Sequence, residues 1–521
     1  MIPNPSFRLS LKILIFPLAV IVATPPTELT AADSPNPPIT GELRVSSNPH
    51  YFQDASGTPI LLNGSQTWNT FQDWGTGGTI QALDFDAFVK FLTSHGHNFT
   101  LLWTTEMPRF SNLPYTEKPL DFAVTPLPWM RTGPGKASDG APKFDLTKFD
   151  PFFFQRLRTR VRALDNAGIY VGVYLFTGEF LNIFRSPRDG YPLTGVNNIN
   201  GVDDGYSGGK QGIGAITMTA TNAITKVQDA YVEKVIDTLN DMPNVLWIVS
   251  EEAPQNSTWW NDHQIAHIRA YEAGKPHQHP IGYAALIGAR DAVLYNSDAD
   301  WVAPSILVSP ASSCGTGKPA CKVNVNDSDH TYYHIWNETP QQNRNYAWEN
   351  FTTGNSVLFM DPYEVYWPHE RRNLCVSPTG DICRAPDPRW DSFRDNLGYI
   401  LRYSRRLNLA NIAPRDTLST TGFCLAQTPS TGAEYLIYAP AGGPFKVNLS
   451  AMSTARTLVV EWFNPSTGKA IAGEPVPAGL SAQEFTPPFA GDAVLYLVDK
   501  AGHAAGNRLE NPLSKPHRQG M

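Results

Sequence analysis

The sequence is poor in cysteine, poor in charge, and almost without long hydrophobic runs. Five cysteines in 521 residues cannot form the dense disulfide framework that holds small scaffolds together, so the chain must rely on a core. Charged residues make up 17%, and acidic side chains outnumber basic ones, 48 to 41. A mildly acidic protein has no electrostatic reason to bind nucleic acid. The one extended apolar run, Ile13 to Ala23, is too short to span a bilayer, and no later stretch approaches a span. There is no low-complexity tract, which leaves an ordinary globular class with room for a barrel domain and a smaller neighbour.

What is present near the start has a familiar order. Arg8 and Lys12 precede the apolar run, and small residues follow it up to Thr30-Ala31-Ala32. Basic, apolar and small segments in that sequence read as a secretory signal over residues 1–32, cleaved near Ala31 or Ala32, which predicts a secreted or periplasmic protein. Its loss removes Arg8, Lys12 and Glu28 and leaves a formal charge of −8. The cysteines suit an oxidising compartment: Cys314 with Cys321, and Cys375 with Cys383, are spaced as short loop staples, and Cys424 is left over as a buried small hydrophobe. Neither pair has the spacing of a zinc site.

Aromatic residues reach 11%, with 13 Trp and 20 Tyr, and several Trp stand in polar stretches: Trp68, Trp259, Trp260, Trp336 and Trp367. Such rings either stack on the apolar faces of sugars or plug the rim of a fold.

Along the chain a linker at 33–41 and a hairpin from Glu42 to Asp54 precede an alternation of strands and helices. Strands are predicted at Pro59–Leu62, Phe99–Trp103, Ile169–Phe176, Asn244–Ser250, His279–Ala284, Trp301–Ser305, Lys322–Asn326 and Ser356–Met360. Helices are predicted from Phe85 to a stop at Gly96, from Asp150 as cap with Pro151 at the first position, over Ile224–Leu239, and over Trp390–Leu409. Eight alternating units argue for an α/β fold, a (β/α)8 TIM barrel over residues 42–412. From about Thr417 to residue 499 the helical period vanishes, and strands at Glu434–Tyr438, Phe445–Leu449, Thr457–Phe463 and Ala493–Val498 predict a small antiparallel β-sandwich. Residues 500–521 read as an unstructured tail.

The most informative segment is Asn244-Val245-Leu246-Trp247-Ile248-Val249-Ser250-Glu251-Glu252, a buried strand that ends in two carboxylates. Catalytic side chains of barrels emerge at such strand ends. Glycoside hydrolysis needs one carboxylic acid and one carboxylate, and Asp327-Ser328-Asp329-His330 after the seventh strand offers the second. The competing readings are structural: an ion pair or cap for Glu252, and a turn cap for Asp361 in Phe359-Met360-Asp361-Pro362-Tyr363.

These residues carry a resemblance. The fourth-strand segment resembles that of clan-A glycoside hydrolases and is closer still to the apiosidase-like enzymes of glycoside hydrolase family 140, which often carry a C-terminal β domain labelled "collagen-binding". Further matches are Pro59 to Gly64 with Thr67-Trp68, Asp327 to His330, and Val460-Glu461-Trp462-Phe463-Asn464-Pro465. The resemblance places the acid/base on Glu252 and the nucleophile on Asp329, with Glu251, Asp327 and Asp361 as alternatives. It departs from clan A at Glu251, where Asn is usual, and at Asp329, where Glu is usual; retaining and inverting outcomes therefore both stay open. Of the adjacent glutamates, the one better shielded from water should be the acid.

Trp68, Trp103, Glu106, Glu179, Trp259, His330, Trp336 and Tyr363 are the candidates for substrate contact. No cofactor is expected, and His330 and His334 with Asp329 form an incomplete metal set. The expected function is a secreted glycoside hydrolase acting on a plant or microbial poly- or oligosaccharide. Its rivals are a non-catalytic carbohydrate-binding barrel and a metal-dependent hydrolase on the same fold. A long insertion, Met107 to Lys143, is expected to wall one side of the site. Nothing in Glu434 to Val498 argues for collagen binding, and a structural flank for the barrel is the favoured role of that region.

Overall fold

The computed structural model describes residues 36–75, 80, 82–111, 121–182, 190–205, 212–305, 322–331, 338–363, 388–429, 432–451 and 456–499. The signal segment, both cysteine pairs, His334, Trp336, Trp367 and the tail lie outside them. Among the described residues Cys424 is a buried free thiol.

Eight parallel strands form the barrel: β1 (Asn63–Gln66), β2 (Phe99–Leu102), β3 (Tyr170–Phe176), β4 (Val245–Ser250), β5 (Ile281–Ala284), β6 (Trp301–Ala303), β7 (Val323–Asp327) and β8 (Ser356–Met360). Each pairs with its sequence neighbour from β2 round to β8, and β8 pairs in parallel with β1, with Val357 opposite Asn63. Between β1 and β2 the closure is made largely by side chains. Asn98 N donates to Asn63 O at 3.1 Å, Asn98 Oδ1 accepts from Asn63 N at 2.9 Å, and Thr100 Oγ1 donates to Ser65 O at 2.9 Å. Gly64 permits this approach, since a Cβ there would fall 1.9 Å from Phe99 O.

The first strand corrects the expected one. Pro59–Ile60 pairs with Phe52–Gln53, which pairs with Arg44–Val45, in a small antiparallel sheet beneath the barrel. The barrel strand begins four residues later, in Asn63-Gly64-Ser65-Gln66. Polar side chains and a glycine hide it from any hydrophobic pattern. Residues of the expected linker also pack here: Asn36 Nδ2 donates to His97 O at 2.6 Å.

Inside the barrel, Phe99, Leu101, Tyr170, Tyr174, Leu246, Ile248, Trp301, Val323, Val325 and Leu358 form one cluster. On β4 the alternate residues Val245, Trp247 and Val249 belong to the larger core beneath the helices, as strand periodicity requires. That outer layer contains α1 (Phe85–Ser94), α2 (Pro151–Asn166), α3 (Ala223–Leu239), α4 (Thr258–Glu272), α5 (Pro340–Thr352) and α6 (Asp391–Ser404). Asp150 caps α2 ahead of Pro151, and Asn222 with Thr225 makes a capping box on α3. Two of these helices carry no clear apolar period, although α5 opens on Thr339-Pro340 with Gln342 closing a capping box, a start signal that sequence reasoning missed. α4 and α5 are mostly polar, and only one face of each, Trp260, Ile265 and Ile268 or Tyr346, Ala347, Trp348 and Phe351, is buried.

The long insertion after β2, together with a strand from the loop after β1, Asp73–Gly75, forms two small antiparallel sheets. Asp73–Gly75, Arg109–Ser111 and Asp121–Thr125 form one, and Trp129–Lys136 with Pro142–Phe149 the other. Trp74, Phe110, Phe122 and Phe180 bind the first sheet to the β3 side of the mouth, with Phe110 stacked 4.4 Å from Phe180.

Beyond the barrel a six-stranded antiparallel sheet runs in the order Ala413–Pro414, Cys424–Gln427, Glu434–Ala439, Ala493–Val498, Thr457–Asn464 and Lys469–Pro477. One face packs with the pair Phe445–Val447 and Gln483–Phe485 over Ile437, Val460, Trp462 and Leu495. The other face joins the barrel core through Leu436, Tyr438, Phe463 and Tyr496. Trp348 of α5 stacks on Tyr438 at 6.1 Å, and Arg344 meets Asp492 at 2.6 and 2.9 Å. A sheet buried on both faces is firmly docked on the flank of the barrel.

Candidate active site

Glu251 and Glu252 follow β4, at the carboxyl end of the barrel. The backbone around them is tightly determined. Glu252 has φ of 46°, the left-handed region, and among the described residues no other non-glycine residue has a positive φ. Such a conformation costs about 1 to 2 kcal/mol and survives only where neighbours enforce it. Asn182 Nδ2 donates to Glu252 O at 3.1 Å, and Ile287 N donates to Ala253 O at 2.9 Å. Gly178 lies so close beneath that a Cβ would stand 2.0 Å from Glu251 O. The β3 and β5 loops thus clamp the turn that aims Glu252.

Across the mouth, Asp327 ends β7 and a short helix, Ser328–Thr331, follows. Asp327 Oδ1 accepts from Asp329 N at 3.0 Å, and Ser328 Oγ accepts from Met360 N of β8 at 2.9 Å. This turn carries Asp329 and His330 to the β4 side. One carboxylate oxygen of Glu252, one of Asp329 and a ring nitrogen of His330 all lie within 4.8 Å of one another. His330 Nε2 stands 2.5 Å from Glu251 Oε1 and 3.5 Å from Glu252 Oε1. The closer contact pairs Glu251 with the imidazole, while Glu251 Oε2 and His330 Nδ1 have no hydrogen-bond partner among the described residues.

Five carboxyl groups therefore share one imidazole. Burial raises Glu179, Glu251, Glu252, Asp327 and Asp329, and mutual repulsion adds to it, while His330 opposes it. Glu252 and Asp327 are each pushed up to about 8. The acids in turn hold His330 well above the usual imidazole range against its own burial. Shielding alone would select Glu251, whose side chain is 3% exposed against 15% for Glu252. The close imidazolium stabilises its anion, so Glu252 is the better proton reservoir of the two.

The other predicted residues fall into separate environments. Glu179, in a short helix after β3, joins the acid cluster, with Oε2 buried and unbonded. Trp103 follows β2, half-buried, stacked 4.5 Å from Tyr174, with Nε1 donating to Gln66 Oε1 at 2.7 Å. Trp68 is buried after β1. Glu106 is a bracket between the β2 and β3 loops: it accepts from Tyr191 Oη at 3.1 Å and Thr177 N at 3.2 Å, and burial pushes it up to about 7.

Three expectations are corrected. Asp361 is wholly buried in a two-point ion pair with Arg394, at 2.5 and 2.8 Å, so it serves the scaffold. Tyr363 packs at 5.1 Å from Phe88 and 4.7 Å from Phe91 of α1. Trp259 sits in the first turn of α4 and stacks on His263, which meets Asp229 of α3, and Trp260 is a core residue bonded to Gln228. Sequence reasoning missed Asn182, since nothing local marks an amide that holds a distant carbonyl. A cleft of about 1340 Å³ lies at the opposite end of the barrel, lined by Ile60, Asn98, Tyr170, Arg405 and Gln427, and none of the acids borders it.

Comparison with known proteins supports the barrel fold. A solved glycoside hydrolase family 5 protein from Bacteroides vulgatus superposes with a TM-score of 0.58 at 14% identity, covering 88% of this chain and 93% of its own. A second solved structure, titled glycoside hydrolase, gives 0.56 at 13%, covering 88% and 97%. The fold is a glycoside hydrolase-type barrel. Residues 123–306 match a family described as a domain of unknown function, DUF6298, and residues 423–497 match one described as "Putative collagen-binding domain of a collagenase". No curated protein matches the sequence. No helix among the described residues is long and apolar enough to cross a membrane.

Proposed function

We propose that this protein is a glycoside hydrolase in which Glu252 is the general acid/base and Asp329 the nucleophile. The observation that carries the reading is their convergence: two carboxyl groups from β4 and β7, nonadjacent strands, come within 4.8 Å at the carboxyl end of the barrel. That spacing suits the roughly 5 Å of retaining enzymes better than the roughly 6.5 to 9.5 Å of inverting ones. Asp329 attacks the anomeric carbon while Glu252 gives its proton to the departing glycosidic oxygen. Glu252, now a carboxylate, takes a proton from water as that water displaces Asp329. With Glu252 pushed up to about 8, the acid carries its proton at neutral pH. His330 and Asp327 are positioning residues, the first by charge and the second by holding Asp329 N.

The substrate class we assign is a poly- or oligosaccharide, met by Trp103 and Glu179 beside the wall built after β2. The family 140-like subtype rests on the motifs of β1, β4 and β7, and export rests on residues 1–32. The test is release of sugar from a panel of plant and microbial glycans. Glu252→Gln and Asp329→Asn are each expected to lower kcat by about 10²- to 10⁴-fold with folding intact. Unchanged turnover in both variants defeats the assignment.

A further inference from the structure

The acid cluster holds more anionic donors than a two-carboxylate mechanism uses. Glu251 is 2% exposed, and beyond the contact of its Oε1 with His330 Nε2, its Oε2, His330 Nδ1 and Glu179 Oε2 are buried with no hydrogen-bond partner among the described residues. Buried polar atoms are nearly always satisfied, and unsatisfied ones gathered in one acid cluster mark a place where something binds. A sugar hydroxyl satisfies one or two of them. A cation satisfies several together.

We propose that Glu252, Asp329 and His330 form an inhibitory site for a divalent cation of the zinc type. Their three donor atoms already lie within 4.8 Å of one another. One imidazole with two carboxylates and an open fourth position is a donor set that zinc accepts, whereas magnesium and calcium prefer oxygen alone. Zinc bond lengths near 2.0 to 2.2 Å put tetrahedral donors roughly 3.3 Å apart, so the side chains must close by about 1 Å or more. Glu252 and Asp329 reach that by rotation about their own bonds, with no movement of β4 or β7. Glu251, which gives up its contact with His330 Nε2 to the ion, and Asp327 supply the negative surroundings that favour a dication. On binding, the ion takes the place of the protons held by Glu252 and His330, which pass to solvent, and it then occupies the oxygen of Glu252 that gives the proton and the oxygen of Asp329 that attacks carbon.

The inhibitory half of the proposal rests on the glycosidase reading; the binding half does not. Chelator-stripped protein is titrated with zinc alone by calorimetry, and glycan turnover is followed in parallel. Wild type should bind one equivalent, and Asp329→Asn and His330→Ala should each weaken that binding at least tenfold. A double change on the outer helices, His263→Ala with His267→Ala, should leave it intact. Turnover should fall with zinc and return with chelator. Absence of one-to-one binding, or binding unaffected by both Asp329→Asn and His330→Ala, overturns the site; the near-isosteric Asn variant keeps this readable should the His330 variant fold poorly. Activity that disappears on chelation overturns the inhibitory role, because the ion would then be required. If wild type cleaves no glycan, the glycosidase reading fails while the calorimetric result still judges the site.

Discussion

Two kinds of buried carboxylate stand at the strand ends of this barrel, and they are treated in opposite ways. After β8, Asp361 is enclosed with Arg394, both side chains wholly buried, in a two-point pair at 2.5 and 2.8 Å. After β3, β4 and β7, five acids crowd one histidine, and Glu179 Oε2 and Glu251 Oε2 have no hydrogen-bond partner among the described residues. The first arrangement neutralises charge locally and asks nothing further. The second stores repulsion, retains protons at neutral pH, and leaves acceptors aimed at the mouth. Perturbed acids that share one imidazole mark chemistry, and an acid in a two-point pair with an arginine marks scaffold.

The comparison can be broken most forcefully at the scaffold side. Asp361→Ala leaves the buried Arg394 with only its 3.0 Å contact to the partly exposed Asp391 in place of a two-point buried pair, and should cost about 3 kcal/mol, read as a lowered denaturation midpoint, with turnover per folded molecule retained. Loss of turnover without loss of stability would place Asp361 with the catalytic acids instead. The acid cluster should behave in reverse. Because Glu252 titrates near 8 in the folded state, against an ordinary carboxylate near 4.5 when unfolded, the folded protein holds a proton that the unfolded chain releases between those values. Stability should therefore fall as pH rises from about 5 to 8, and Glu252→Gln should flatten that slope by about 1 to 2 kcal/mol in denaturant titrations. An unchanged slope would show that this carboxyl is not the one retaining the proton. The smallest effect is expected at the seam with the C-terminal sheet. There Glu461 accepts from Tyr403 at 2.7 Å and Arg406 at 2.7 and 3.0 Å in a partly exposed setting. Glu461→Gln should cost under about 1 kcal/mol, and a larger loss would mean that charge, more than the apolar contacts of Phe463 and Tyr496, holds the sheet on the barrel.

Much of this architecture was legible because it rests on local repetition. Continuous apolar runs announced β2, β3 and β4, and the Asp150-Pro151 start announced α2. The sugar-cleaving reading came from two carboxylates standing just past such a run. β1 was not legible, since it is made of Asn63, Gly64, Ser65 and Gln66 and is defined by what approaches it, and α4 and α5 bury polar residues such as Asn261, Gln264, Asn343 and Asn350 among their apolar ones, which blurs the period. Trp259 and Trp260 read as loop residues for the same reason.

Residue order alone is enough to say that Glu252 closes a buried strand and that Asp329 lies two residues past Asp327, because strand pattern is a property of neighbours along the chain. It has no access to partners. That Asp361 meets Arg394 while Glu252 meets Asp329 and His330, and that Asn182 bends a glutamate into a left-handed turn, are consequences of closing the barrel. Closure brings together segments far apart in sequence, and the energy of a buried charge depends on what stands next to it in space.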